Sequence, residues 1–407
     1  MNNPIESGVR VPTPAALAMI DRLIAFPTVS RDSNLGLIEY ARDFLAHLGA
    51  KPHLVYDATG KKANLFCTLA DEPERVKRGG LILSGHTDTV PVDGQDWSSD
   101  PFSASHRDGR IHGRGSADMK GFIALALAWA PRFLAAQERT PIHLSLTFDE
   151  ETTFLGVRGL VQDLEQRGIK PAGCIIGEPT DLRVVVAHKG KRDWCCRVRG
   201  RDAHSSLTPA GVNAIEVAAQ VISFIRALAE RMACDEPRDA RFDVPYTTLQ
   251  TGVVRGGIAV NVVPRDCEFL FEMRNLPATT TDALYEEIVA WARRALLPNM
   301  RSVAGDADIQ FEEGMSVPAF GIAPEAPLVR WAMELARTAR AGTGAVGFAT
   351  EASTFMRAGI PTVVLGPGSI EQAHKPDEYV SYEQIAACEA MFERLAAASL
   401  PSFAPKL

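Results

Sequence analysis

The stretch LILSGHTDTVPV, residues 81–92, is the part of the chain that best indicates its fold. It opens as a short apolar run, which predicts a buried strand, and it places His86 and Asp88 where that run stops. Buried strands are usually bounded by turn residues, so an imidazole and a carboxylate at this point indicate a binding site. This stretch alone leaves open whether one or both of the two side chains bind a ligand.

Other predicted strands end in the same way. The runs at 142–148, 174–176 and 362–365 predict strands that alternate with helices, and ionisable side chains follow each of them. With one acid that precedes a predicted helix, these side chains are Asp149, Glu150, Glu151, Glu178, His374 and Asp118. Ligand sites in such sheets lie beyond the carboxyl ends of the strands, so groups far apart in the chain can converge there.

This set of side chains points to metal ions. Singly, each has a plain structural explanation, because a histidine after a strand is often a surface residue and Asp118 could be a helix N-cap. The adjacent Glu150 and Glu151, however, repel each other after a buried strand unless a cation or a proton intervenes. Nitrogen and oxygen donors without thiolate suit Zn²⁺, Co²⁺ or Mn²⁺. The set exceeds the three protein ligands of one catalytic zinc, so two metal ions fit better.

The order of predicted strands and helices changes in the middle of the chain. From about residue 184 the order becomes strand–helix–strand–strand–helix–strand, which is typical of a small antiparallel α+β domain. The alternating order returns afterwards. We therefore predict an α/β domain made of residues 1–188 and 316–407, interrupted by an inserted α+β domain of residues 189–315.

Composition narrows the class of protein. The chain has 407 residues, 46% of them hydrophobic, and a formal net charge of −7. Acidic and basic residues are mixed along it, which argues against nucleic acid or an anionic membrane as partner. The seven Cys show no metal-type spacing, no apolar run is long enough to span a membrane, and the start MNNPIESGVRVP is unlike a secretion signal. A cytoplasmic protein with reduced thiols is the expectation.

Five motifs, in order along the chain, resemble those of a known family. SGHTDTVP, GRGSADMKG, LTFDEE, GEPT and AHKPDEY are similar to the successive motifs of the dinuclear zinc amidohydrolases, the aminoacylase, desuccinylase and glutamate-carboxypeptidase group of metallopeptidases. The similarity covers nearly the whole chain. It implies a catalytic domain of the zinc-aminopeptidase type and a ferredoxin-like inserted domain that forms a homodimer.

The resemblance also implies a role for each residue of the set. His86 and Glu178 would bind one metal, Glu151 and His374 the other, and Asp118 would bridge both, with a cis peptide bond to Met119. Glu150 would be the general base, and Asp88 would accept a hydrogen bond from His86 and orient its ring. The cofactors implied are two Zn²⁺, or Co²⁺, per subunit.

Further residues would contact the substrate. In the inserted domain, His204 matches a position that reaches the partner subunit's site and hydrogen-bonds the developing oxyanion. Asn261 and Arg274 match positions that bind the substrate's α-carboxylate. Each of these three could equally be an ordinary polar residue beside a strand. Glu351 could bind a cationic side-chain amine or could be an acid that favours a helix N-terminus.

The activity implied is hydrolysis of the amide bond of an N-acyl amino acid, a small-molecule substrate. GHTDTVPVDGQDW, GEPT and EQAHKPDEYV are most similar to the family members that deacetylate N2-acetyl-L-ornithine in arginine biosynthesis. Desuccinylation of succinyl-diaminopimelate, general aminoacylase action and dipeptide cleavage are the alternatives within the family. A relative that keeps the fold only to bind a ligand is the alternative from another class.

Overall fold

A computed structural model describes residues 11–70, 72, 77–338, 342–401 and 403 of the chain. Its α-helices are α1 Pro14–Ile24, α2 Leu35–His47, α3 Lys120–Ala135, α4 Leu155–Gln166, α5 Ala214–Asp235, α6 Thr281–Ala295, α7 Leu297–Val303, α8 Pro327–Ala336, α9 Ala352–Arg357 and α10 Tyr382–Ala397. Its strands are β1 His53–Tyr56, β2 Ala63–Leu69, β3 Leu81–His86, β4 Ser105–Arg107, β5 Arg110–His112, β6 Ile142–Thr147, β7 Gly173–Ile176, β8 Val185–His188, β9 Lys191–Arg199, β10 Ala203–His204, β11 Thr248–Gly256, β12 Val262–Val263, β13 Asp266–Arg274, β14 Asp308–Val317, β15 Phe320–Gly321, β16 Gly344–Val346, β17 Thr362–Val364 and β18 Tyr379–Ser381.

The chain divides into two compact units. The first comprises residues 1–186, 322–344 and 350–407, and the second comprises residues 187–321 and 345–349. The sequence predicted boundaries at 188/189 and 315/316 and assigned residues 345–349 to the first domain, whereas here they belong to the second unit. Within the described residues, no helix combines the length and the apolar character that crossing a membrane requires.

A mixed sheet forms the centre of the first unit. Six of the nine strands of this sheet lie in the order β1-β2-β6-β3-β7-β17. The four strands β6, β3, β7 and β17 are parallel to one another, whereas β2 runs antiparallel to β6, and β1 runs antiparallel to β2. Every residue of β3, β6 and β7 is buried, as expected for strands that helices cover on both faces. The carboxyl ends of β3, β6, β7 and β17 therefore share one edge of the sheet, as the sequence predicted.

The second unit contains a four-stranded antiparallel sheet. Its order is β11-β13-β9-β14, and α5 and α6 pack on one face of it. Alternate residues of the central strands point into that core because side chains alternate between the faces of a strand. On β9, Trp194 is buried and stacks against Phe271 and Tyr285, with ring centroids 5.2 and 5.0 Å apart. The predicted α+β order of elements is thus confirmed.

A small sheet in the first unit was not predicted. The short strands β18, β5 and β4 form it, with Tyr379 paired to His112 and Ser381 to Arg110. None of these short strands is a continuous apolar run, which is why the sequence did not reveal them. Their pairing holds the segment that follows His374 beside the segment that leads to Asp118.

Candidate metal centre

Two histidines meet the two carboxylate oxygens of Asp118. Nε2 of His86, at the end of β3, lies 3.0 Å from Oδ1 of Asp118. Nε2 of His374, in the loop between β17 and β18, lies 3.4 Å from Oδ2. Asp118 itself stands just before α3, and its peptide bond to Met119 is cis, as expected. One buried carboxylate therefore faces both imidazoles.

Two glutamates complete the cluster from neighbouring strand ends. Oε1 of Glu151, which follows β6, lies 3.1 Å from Nε2 of His374. Oε1 of Glu178, which follows β7, lies 3.8 Å from Nε2 of His86. Gly177 permits this approach, because a Cβ there would lie 2.0 Å from ring atoms of Phe122 on α3. The geometry thus pairs His86 with Glu178 and His374 with Glu151.

Three-residue groups within this cluster could hold a metal ion. One potential ligand atom from each of His86, Glu150 and Glu178 lies within 4.8 Å of the others, and the same is true of His86, Asp118 and Glu151. Glu150 therefore lies within 4.8 Å of His86, in the same group as the predicted ligand Glu178. Distance alone does not separate a base from a ligand here.

The charges in the cluster fit a cation. Burial raises the pKa of Glu150 and of Glu178 well above the usual range, and each also feels neighbouring carboxylates. Hydrogen bonds to Asp118 and Glu151 raise the pKa of His374 to about 10. Among the residues that the structure describes, Oε1 of Glu178 is buried without a hydrogen-bond partner. Carboxylates crowded out of water in this way repel each other, and a divalent cation would relieve that repulsion.

The structure corrects one predicted hydrogen bond of Asp88. Nδ1 of His86 lies 2.9 Å from the backbone carbonyl oxygen of Asp88, whereas the nearer carboxylate oxygen is 3.7 Å away. The Asp88 carboxylate instead accepts bonds from the backbone N–H groups of Glu150 and Glu151, at 3.2 and 3.3 Å, and from the Ser30 hydroxyl at 2.7 Å. It acts on the β6 loop rather than directly on the His86 ring.

Replacing Asp88 by asparagine is therefore expected to reduce turnover and leave metal content unchanged. The asparagine backbone carbonyl can still fix the His86 ring, but the neutral amide binds the Glu150 and Glu151 amides less strongly. We expect a loss of about 10–100-fold, as for other groups behind metal ligands. Steady-state kinetics and elemental analysis of the same sample measure the two quantities. Loss of one metal would show that Asp88 is itself a ligand.

Glu351 stands directly before a helix, which is one of the two environments that the sequence left open. Its side chain lies in the first unit and is only 1% exposed. Within the described part of the chain, neither carboxylate oxygen has a hydrogen-bond partner of normal geometry. Burial raises its pKa to about 7, although the Thr147 hydroxyl opposes that rise. Glu351 is thus a buried acid at the start of α9, and its contact with a substrate amine stays a prediction.

The three remaining predicted residues belong to the second unit. His204 ends β10 and is exposed, with its Nδ1 2.8 Å from the Ser206 hydroxyl oxygen. Asn261 is also exposed, and its carbonyl accepts a hydrogen bond from the Ser205 N–H at 3.0 Å. Arg274, at the end of β13, is half-buried beside Glu272 at 3.4 Å. The side chains of His204 and Asn261 are thus open to a ligand.

Sequence reasoning overlooked Glu378. It lies inside the motif AHKPDEY, from which only His374 was selected. It is 1% exposed and binds the backbone just before α3. The signal that could have revealed it was an acidic residue four positions after the candidate ligand His374.

Comparison with known proteins places the chain in a family. Residues 82–398 match peptidase family M20/M25/M40, and the chain belongs to this family. An acetylornithine deacetylase of Pasteurella multocida (strain Pm70) is 36% identical over 379 residues, covering 91% of this chain and 94% of that protein. An acetylornithine deacetylase of Edwardsiella ictaluri (strain 93-146) is 36% identical over 388 residues, covering 94% and 97%.

Solved structures share the fold. A Staphylococcus aureus tripeptidase superposes with a TM-score of 0.71 at 21% identity, covering 96% of this chain and 100% of that one. A Bacillus subtilis protein described as a dinuclear metal-binding peptidase of family M20 superposes with a TM-score of 0.64 at 17% identity, covering 94% and 96%. The predicted fold class is therefore confirmed.

Proposed function

We propose that this protein is a metal-dependent hydrolase that converts N2-acetyl-L-ornithine and water into L-ornithine and acetate. The observation that carries the proposal is the meeting of two histidines on the opposite oxygens of one buried carboxylate, Asp118. The substrate follows from the similarity to acetylornithine deacetylases over most of the chain. The reaction belongs to arginine biosynthesis, and we propose a cytoplasmic location.

The proposed ligands form two sets that share Asp118. His86 and Glu178 would hold one cation, and His374 and Glu151 the other. Support comes from the pairing of each histidine with a different glutamate and with a different oxygen of Asp118. Nitrogen and oxygen ligands suit Zn²⁺ or Co²⁺, two per subunit. Such ions, when bound, polarise an acyl oxygen and lower the pKa of a water.

Glu150 would move the proton in the reaction. Its carboxylate accepts a proton from the attacking water as the water oxygen bonds to the acyl carbon. It then donates that proton to the amide nitrogen, so that the C–N bond breaks and the amine leaves. Burial raises the pKa of Glu150, so its carboxylate binds a proton more tightly than an exposed glutamate does. The Asp88 carboxylate positions this base through the Glu150 N–H.

We also propose a separate role for each of the two units. The first unit would carry the metal centre, and the second would form a homodimer in which His204 hydrogen-bonds the oxyanion in the partner subunit's site. Asn261 and Arg274 would bind the substrate's α-carboxylate. Support comes from the exposure of His204 and Asn261 and from the resemblance of their motifs to family positions.

Complementation between inactive subunits would test the role of His204. A heterodimer of a His204→Ala subunit and a Glu150→Gln subunit, isolated with two affinity tags, should regain about half of wild-type activity. One of its two sites would then combine an intact base with an intact partner histidine. If His204 acts within its own subunit, both sites are damaged and the heterodimer stays inactive.

A substrate panel with metal analysis tests the proposed reaction. The purified protein should contain about two zinc or cobalt ions per chain and show its highest kcat/KM with N2-acetyl-L-ornithine. The comparison set is succinyl-diaminopimelate, N-acetyl-L-methionine and a dipeptide. Faster cleavage of succinyl-diaminopimelate would exclude the ornithine assignment within the family. Absence of both metal and hydrolysis would favour a binding protein.

A further inference from the structure

Glu378 makes a buried ion pair beside the proposed metal centre. The side chains of Glu378 and Arg114 are each 1% exposed, and Nη1 of Arg114 lies 2.7 Å from Oε2 of Glu378. The other oxygen, Oε1, accepts hydrogen bonds from the backbone N–H groups of Ala117 at 2.9 Å and Asp118 at 3.0 Å. Both oxygens of the carboxylate are therefore paired, as a buried charge requires.

The same network reaches the loop that carries His374. Nη2 of Arg114 donates to Oε1 of Gln95 at 2.6 Å, and Nε2 of Gln95 donates to the His374 carbonyl oxygen at 2.9 Å. His374 has a φ of 64°, in the left-handed region that non-glycine residues seldom adopt. A backbone in that conformation depends on its surroundings to hold it. Gln95 supplies one such contact.

These contacts connect two segments that are distant in sequence. Glu378 follows His374 by four positions, and its side chain binds the backbone of Asp118, whose carboxylate faces both proposed metal sites. The N–H of Gly113 also donates to the Glu378 carbonyl oxygen at 2.9 Å. A shift of the Glu378 side chain would therefore move Asp118 and His374 relative to each other.

We propose that Glu378 is a positioning residue, which, held by Arg114, keeps Asp118 and His374 in the arrangement that binds two cations. This inference rests on the proposed function, because it presupposes that the cluster binds metal. Groups that orient metal ligands without touching the metal typically change metal affinity by about 10–100-fold when they are replaced. Arg114 and Gln95 would support the same arrangement from its other side.

A purely structural role is the competing explanation. Breaking a buried ion pair destabilises a protein wherever the pair lies, and lower stability alone can reduce activity. Metal affinity measured on folded protein separates the two roles. A stabilising pair would leave the affinity of the folded chain unchanged, whereas a positioning residue would change it.

The chain contains a suitable control. Glu389 is a buried carboxylate on α10 that accepts hydrogen bonds from the Thr13 N–H at 2.8 Å, the Thr13 hydroxyl at 2.6 Å and the Trp129 Nε1–H at 3.2 Å. It thus resembles Glu378 in burial and in binding a backbone amide, and none of these partners belongs to the metal cluster. Glu389→Gln controls for the loss of a buried, hydrogen-bonded carboxylate.

The test is a titration of metal-free protein with Co²⁺. Calorimetry gives the affinities, the visible absorption of bound Co²⁺ reports its coordination, and thermal unfolding of the metal-free variants gives their stability. Glu378→Gln should bind Co²⁺ about 10–100-fold more weakly and with a changed absorption spectrum. Glu389→Gln should keep the wild-type affinity and spectrum.

The other outcomes are equally informative. Wild-type affinity and spectrum in Glu378→Gln, or an equal loss in Glu389→Gln, would overturn the positioning role while leaving the proposed function intact. Failure of the wild-type chain to bind Co²⁺ would overturn the proposed function itself. If Glu378→Gln does not fold, Gln95→Ala is a milder variant that removes the hydrogen bond to the His374 carbonyl. It should weaken the binding of one of the two Co²⁺ ions. Unchanged affinities in Gln95→Ala would then reject the inference.

Discussion

Glu150→Gln is expected to lose most of its turnover while keeping both metal ions. Glutamine has nearly the size and shape of glutamate, but its amide cannot accept a proton from water at neutral pH. Loss of a general base typically lowers the rate by about 10²–10⁴-fold. The expected result is a large fall in kcat with metal content as in the wild type. Steady-state kinetics and elemental analysis of the same preparation measure both.

The neighbouring glutamate provides the matched control. Glu151→Gln makes the same chemical change one residue away, at a proposed metal ligand 3.1 Å from His374. This variant should lose metal affinity together with activity. The comparison is needed because Glu150, His86 and Glu178 also form a group that could hold an ion. If Glu150→Gln loses metal and Glu151→Gln retains it, the two roles are reversed.

Asp118→Ala is expected to lose both metal ions together. Its two oxygens face different histidines, Oδ1 towards His86 and Oδ2 towards His374. Removing the carboxylate therefore takes a ligand from each of the two proposed sites. We expect metal content to fall from about two ions per chain to less than one, with activity lost.

His374→Ala is the control for a ligand of one site only. This variant should weaken the binding of one ion only. His374 contacts Asp118 and Glu151, but it belongs to neither of the three-residue groups that contain His86. Titration of each metal-free variant with Co²⁺ distinguishes the loss of one ion from the loss of two. An Asp118→Ala protein that still bound two ions would remove Asp118 from the bridging position.

Much of the fold could be predicted because it depends on local patterns. The apolar runs predicted as strands are the buried strands β3, β6 and β7. The changed order of strands and helices from residue 184 onwards corresponds to the antiparallel sheet of the second unit and its helices. The short strands β4, β5 and β18 were missed, since none of them is a continuous apolar run, unlike the equally short β17. The convergence of His86 and Glu178 was predictable because their strands are parallel.

The detailed contacts of the site were less predictable. The sequence placed His86 beside Asp88 but assigned the hydrogen bond to the Asp88 carboxylate, whereas the backbone carbonyl makes it. It also left open whether Glu351 faces a ligand or begins a helix, and the structure buries that side chain. Both outcomes depend on how loops pack, and spacing along a chain does not contain that information.

The sequence by itself thus determined the class of fold, the order of the elements and the strand ends at which the ionisable side chains stand. These features follow from hydrophobic periodicity and from the geometry of parallel strands. Only the tertiary structure decided that the Asp88 backbone carbonyl contacts the His86 ring, and that Glu378 joins the His374 loop to the backbone of Asp118. Contacts of this kind join segments far apart in the chain, and they exist only once the strands between them have paired.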